Sequence, residues 1–206
     1  MSTMTIEDLA PAPRMKAADR RELILEAATA VFGAKTYVGT TTDEVARAAG
    51  VSQPYVVRLF GTKEKLFVAV IERAYARLIE EFRRALPGDP EERMERMGAA
   101  YTGLLAERGM LPVIANSTAL GGEPVIGRVA RAGFSDIWRF IRDEAGFSPE
   151  EAREFIATGM LINTIVGLRL TGDYGYEVSA TEVLDACFPD AVAKVRTLVP
   201  GAGEPW

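Results

Sequence analysis

The sequence has 206 residues, with 24 Lys/Arg against 29 Asp/Glu, a formal net charge of −5 and no histidine at all. A Ser-His-Asp triad, a His-ligated metal and a histidine pH switch are therefore excluded, and the single cysteine, Cys187, allows neither an internal disulfide nor a cysteine metal site, which suits a reducing, cytoplasmic setting. The 48% apolar content is enough for a core, but the longest uncharged apolar run, Phe155 to Leu168, is 14 residues and falls short of the roughly 18 that a bilayer span requires.

Charge is unevenly distributed. Positions 11–65 hold 9 basic and 6 acidic residues, whereas the chain beyond them holds 15 basic and 21 acidic. A mildly basic front end on an acidic body permits an anionic partner at that end.

The predicted elements are all helical. Residues 1–15, with Ala-Pro-Ala-Pro and no apolar period, read as a disordered arm and lack the basic-then-apolar layout of a secretory signal. Ile24, Ala27, Ala28 and Val31 recur at helical spacing and place a first helix from Ala17 to Lys35. Thr41-Thr42-Asp43-Glu44 is a capping box that opens a second helix ending at Gly50. Ser52 is a suitable cap for a third, with Pro54 harmless in its first turn. Thr62 caps a long fourth helix towards Leu86.

Asp89-Pro90-Glu91-Glu92 reads as the start of a fifth helix reaching about Arg108, with proline at its first position. A sixth spans Met110 to Leu120, a seventh Pro124 to Ala145, and an eighth runs from the Ser148-Pro149-Glu150-Glu151 cap to about Leu170. Ser179-Ala180-Thr181-Glu182 caps a ninth, which Pro189 interrupts before a last piece over Asp190 to Val199. The expectation is an all-α chain of about nine helices.

Two short helices joined through Gly50 have the layout of a helix-turn-helix. In the third helix Val56, Leu59 and Phe60 share one face and are expected to pack inward. Ser52, Tyr55 and Arg58 share another, with Gln53 beside them. Arginine can fork onto guanine, glutamine can pair with adenine, and tyrosine and serine can reach phosphates. Lys63, in the first turn of the fourth helix, is unfavourable for its own helix and makes sense if a phosphate docks there.

Residues 20–67, RRELILEAATAVFGAKTYVGTTTDEVARAAGVSQPYVVRLFGTKEKLF, resemble the DNA-binding domain of the TetR family. The resemblance is carried by Ala27-Ala28 with Phe32, Thr40-Thr41, Val45-Ala46, Ala49-Gly50-Val51-Ser52, Phe60, and Lys63-Glu64 before Leu66-Phe67. It implies DNA contacts at Thr41, Gln53, Tyr55, Arg58 and Lys63. One departure is clear: where the family often has tyrosine and then tyrosine or histidine before the phenylalanine of the third helix, this chain has Val57, Arg58 and Leu59. Tyr55 and Arg58 are the candidates to supply the missing phosphate contact.

The resemblance also implies the organisation: a helix-turn-helix domain over 16–65 and a helical ligand-binding and dimerisation domain over 66–206, acting as a repressor on a palindromic double-stranded operator and released by a small apolar effector. Beyond residue 70 the reading rests on pattern. The eighth helix, apolar nearly all round, is expected to pair with the ninth (Val183, Leu184, Cys187) and with the same helices of a second subunit, Gly159 and Gly167 allowing close approach. A ligand cavity among the fifth to eighth helices has Tyr101, Met110, Ile114, Thr118, Phe134, Trp138, Met160 and Asn163 as candidate lining. Asn163 stands out, since an amide in an apolar run needs partners.

An all-helical enzyme and a protein-binding adaptor are the alternatives. Against the first, the acidic residues cluster at helix caps, where they are solvated. Against the second stand the basic front end and the polar face of the third helix. No catalytic residue, metal, cofactor or membrane partner is expected.

Overall fold

Ten α-helices and no strand occur among the described residues, 16–201, of the computed structural model. The arm expected over 1–15 lies outside the described residues. The helices are α1 (Ala17–Gly39), α2 (Thr42–Ala48), α3 (Gln53–Phe60), α4 (Lys63–Ala85), α5 (Arg93–Gly103), α6 (Met110–Ala119), α7 (Ile126–Arg139), α8 (Pro149–Leu168), α9 (Val178–Cys187) and α10 (Val192–Leu198).

The first three helices close around Ile24, Ala28, Phe32, Val45, Ala46 and Val56. Each large apolar side chain fully removed from water contributes about 1.5–3 kcal/mol. The Thr41–Glu44 capping box is present, and Gly50 makes the α2–α3 turn at φ +64. Two expectations need correction here. Leu59 reads as inward-facing, but it is 38% exposed, so the buried anchors of α3 are Val56 and Phe60, with Tyr55 packed partly against the same core. The first helix passes beyond Lys35 to Gly39, broken internally at Thr36, whose φ of 61 and ψ of 177 are not helical.

The α4 helix belongs to both halves of the molecule. Its first turns bury Leu66, Phe67 and Val70, with the Phe67 ring centroid 4.7 Å from that of Phe32. Its later turns bury Tyr75, Leu78 and Phe82 among the C-terminal helices, where Phe82 packs against Tyr101, Phe140 and Phe155. Arg73 pairs with Glu22 of α1, and Arg83 holds Glu144 through two bonds of 2.9 and 2.8 Å. A second join runs from α1 to the start of α6, where Gly33 and Gly109 meet backbone to backbone.

In the C-terminal half, α5 begins at Arg93, one turn later than Asp89-Pro90 suggests. Asp89 Oδ1 accepts from the Glu91 amide at 3.0 Å and closes a turn in place of a helix. The seventh helix ends in a π-helical turn, Phe140–Glu144. The α8 capping box forms as expected between Ser148 and Glu151. For α9, however, the cap is Glu177, whose carboxylate accepts from the Ala180 amide at 2.6 Å, and Ser179 is already inside the helix. The Pro189 interruption separates α9 from α10, which accounts for ten helices against about nine.

Candidate nucleic-acid interface and cavity

The tight turn at Gly50, closed by the Val51 amide on the Ala46 carbonyl at 2.9 Å, sets the direction of α3. With Val56 and Phe60 buried, Ser52 and Arg58 stand exposed and Tyr55 half-buried beside them. The Ser52 side chain makes no cap bond, so its hydroxyl stays available to a partner rather than serving the helix as the sequence suggests. Gln53 Nε2 donates to Thr42 Oγ1 at 3.2 Å, which ties the first turn of α3 to α2.

Arg58 lies 4.8 Å from the Tyr55 ring centroid, and Arg20 of α1 lies 5.5 Å from it. Sequence reasoning misses Arg20: it is 35 positions before Tyr55, and only the packing of α1 near α3 brings a second guanidinium to this face. Such cation–π placements hold the charged groups in position without neutralising them.

Thr41 and Lys63 are placed differently from the other candidates. The Thr41 hydroxyl donates to Glu44 Oε2 at 3.0 Å and accepts from the Glu44 amide at 3.2 Å, so it is committed to its capping box. The same box and the Lys35 ammonium hold the Glu44 carboxyl down at about 2, Lys35 being the largest influence. Lys63 Nζ donates to the carbonyls of Tyr37 and Thr40, each at 3.1 Å, and sits 4.5 Å from the Tyr37 ring centroid. It clasps the end of α1 to the start of α4, and one of its three N–H donors is left for an outside acceptor.

The second feature is a cavity of about 470 Å³ between α4, α5, α6, α7 and α8. Of the candidate lining residues it brings together Tyr101, Ile114, Thr118, Phe134, Met160 and Asn163. Met110 and Trp138 are not part of its wall: Met110 is buried at the α1–α6 join, and Trp138 is half-buried elsewhere on α7. Tyr101 Oη donates to Asn163 Oδ1 at 2.8 Å and lies 3.3 Å from the Gly159 carbonyl, and burial pushes the phenol far above its ordinary range. Gly159 faces this ring, with a β-carbon position 3.6 Å from Tyr101 Cζ, and lines the cavity. Tyr75, Leu78 and Phe82 complete the wall: helical spacing carries these α4 residues into the larger domain, but it does not say that they reach a cavity.

The outer face of α8 is apolar. Met160, Leu161 and Leu168 are 62%, 43% and 65% exposed, so the helix that reads as buried on all sides is covered on one side only within a single chain. Among the described residues no helix is long and apolar enough to cross a membrane.

An all-helical chain with a helix-turn-helix at one end and a helical, cavity-bearing body at the other defines the class. Residues 24–70 match the family described as bacterial regulatory proteins, tetR family. The chain is 36% identical over 87 residues to the HTH-type transcriptional activator FasR of Mycolicibacterium smegmatis, covering 42% of this chain and 39% of the relative. It is 34% identical over 89 residues to the HTH-type transcriptional repressor NicS of Pseudomonas putida, covering 42% of each. These matches thus span about two fifths of the curated relatives' length.

Likeness to solved structures extends over nearly the whole chain. A TetR-like transcriptional regulator from Rhodococcus sp. RHA1 superposes with a TM-score of 0.60 at 21% identity, covering 90% of this chain and 96% of that one. The fatty acid degradation regulator FadR from Bacillus halodurans gives 0.55 at 19%, covering 92% and 100%. Residues 24–70 thus carry the helix-turn-helix domain of the tetR family, and the chain as a whole has a TetR-like fold.

Proposed function

We propose that this protein is a ligand-responsive transcriptional regulator that binds a palindromic operator as a homodimer and is released from it by a small, largely apolar molecule. The observation that carries the reading is the course of α4. It starts with Lys63 beside the recognition helix and ends with Tyr75, Leu78 and Phe82, which wall the cavity. An occupant that shifts α4 changes the separation of two recognition helices, and operator half-sites one DNA turn apart, roughly 34 Å, fix that separation.

Ser52, Gln53, Tyr55, Arg58, Thr41 and Lys63 are the proposed DNA contacts, joined by Arg20. Thr41 and Lys63 would act with their internal bonds in place, Lys63 through its remaining N–H. The exposed apolar face of α8 is the proposed dimer surface, and the cavity residues Tyr101, Ile114, Thr118, Phe134, Met160 and Asn163 are the proposed ligand contacts. Relatives of the N-terminal domain include an activator and a repressor by name. We take repression as the mode here, because release by a ligand then switches transcription on.

The test has two stages. Fluorescence anisotropy on DNA from upstream of the protein's own gene should show binding that survives non-specific competitor and weakens steeply as salt rises. Nile red, a neutral apolar dye, should then bind the cavity about 5- to 150-fold more weakly when saturating operator is present, because coupling is reciprocal. Equal dye affinity with and without operator excludes the release mechanism, and the absence of sequence-specific binding excludes the regulator reading.

A further inference from the structure

The polar groups of the cavity are few, and nearly all of their protons are already committed. Ser117 Oγ donates to the Ile114 carbonyl at 2.7 Å, so at the Tyr75–Ser117 contact of 3.5 Å the phenol is the donor. Tyr101 donates to Asn163 Oδ1. The hydroxyls of Thr118 and Thr164 turn back onto the carbonyls of Ala115 and Met160 at 2.7 and 3.0 Å.

What is left is Asn163 Nδ2, half-buried in the wall, and the hydroxyl of Thr158, which is exposed to solvent. The Asn163 carbonyl oxygen is used by Tyr101, but among the described residues nothing accepts from its amide N–H groups. Charge in the wall is equally one-sided. Among the described residues no lysine or arginine lines the cavity, and its one carboxylate, Glu154, is exposed at the rim. A carboxylate carried into this space would lose its hydration and meet no cation, which is a severe cost. A carbonyl or ester oxygen would lose little and gain the amide donors.

We infer that the cavity selects an uncharged apolar molecule with one hydrogen-bond acceptor, a ketone or ester carbonyl docked on Asn163 Nδ2, and rejects fatty carboxylates of the same size. The inference rests on the ligand-binding reading above and narrows it to one chemical class. Gly159 supports the same geometry, since the absence of a side chain there leaves open the approach alongside the Tyr101 phenol to Asn163.

Methyl nonanoate and decanoic acid are isomers, so at neutral pH they differ in charge and hardly in size. Calorimetric titration of the full-length protein with methyl nonanoate, decanoate and decylamine separates the possibilities. The ester should bind roughly tenfold or more tightly than decanoate. Asn163→Leu and Asn163→Asp, which both remove the N–H donors, should each cost the ester about three- to tenfold. Decanoate binding as tightly as the ester overturns the inference while leaving the cavity as a ligand site. So does decylamine outbinding the ester, which would assign the selection to Glu154. Wild-type affinity for the ester in both variants overturns the docking on Asn163. If none of the three compounds binds, the cavity is not a site for small apolar molecules, and the reading beneath the inference falls with it. Should the variants fail to fold, the comparison of the three compounds on the native protein decides.

Discussion

Gly33 and Gly109 touch backbone to backbone, so that a β-carbon on Gly33 would lie 2.5 Å from the Gly109 α-carbon and one on Gly109 only 2.3 Å from the Thr29 carbonyl oxygen. This is the point where α1 of the helix-turn-helix half meets α6 of the cavity half, and backbone cannot swing aside as a side chain can. Gly109 also holds φ +78. Gly33→Ala is expected to destabilise the protein by about 1–3 kcal/mol through overpacking. It should separate α1 from α6 before it unfolds either half. Urea denaturation followed by backbone and tryptophan signals checks both parts, and an unchanged midpoint would show that the contact yields freely.

Thr36 occupies a conformation that belongs to glycine, with φ 61 and ψ 177. Such a placement costs on the order of 1–3 kcal/mol, and its exposed side chain offers little in return. Glycine here costs about 0.5–1 kcal/mol in chain entropy. Thr36→Gly should therefore raise stability by about 1 kcal/mol, visible as a higher midpoint in thermal or urea unfolding. A lower midpoint would mean that the Thr36 backbone is held at no cost.

Glu44 links the capping box of α2 to Lys35. Its carboxyl titrates at about 2 in the folded protein, against 4.5 for an ordinary glutamate. A depressed carboxylate stabilises the fold fully above the unfolded value and loses that contribution as pH falls through the folded one. Glu44→Gln should therefore be less stable than wild type at neutral pH, and the gap should narrow between about pH 4.5 and 2. Denaturant midpoints of both proteins along a pH series test this; a constant gap would assign the effect to packing.

Arg58 and Lys63 are expected to fail differently on DNA. Arg58 is exposed on α3 and free to reach a base edge, so Arg58→Ala should cost about 1–3 kcal/mol on the best site and relax preference at one position per half-site. Lys63 is fastened to Tyr37 and Thr40, so Lys63→Ala should weaken all sequences alike and lower the salt slope by about one per half-site. It should also lower thermal stability, because two carbonyls lose their donor. Equal loss of sequence preference in both variants would refute the division.

The exposed leucines of α8 are the proposed dimer contact. Leu161→Glu or Leu168→Glu should give a monomer by sedimentation with its helix content intact and its operator affinity largely lost. A dimer persisting in both leucine variants would place the interface elsewhere.

Much of this protein is settled by local sequence. Helical periodicity, the Thr41–Glu44 and Ser148–Glu151 capping boxes, and the turn glycine at position 50 are short-range features, and each determines its element with the residues beside it. That is why the all-helical fold, the helix-turn-helix and the outward set on α3 are legible in the chain. Where local signals compete, the sequence misleads: Asp89-Pro90 and Ser179 look like helix starts, but a turn and Glu177 take those roles. Only tertiary packing decides the rest. It sends Lys63 onto two carbonyls, brings Arg20 beside Tyr55, exposes Leu59, leaves Trp138 outside the cavity and admits Tyr75 and Phe82 to it. Each of these depends on the angle at which one helix meets another. That angle is set by the shapes of side chains distant in sequence, as where Gly33 lets α6 close onto α1.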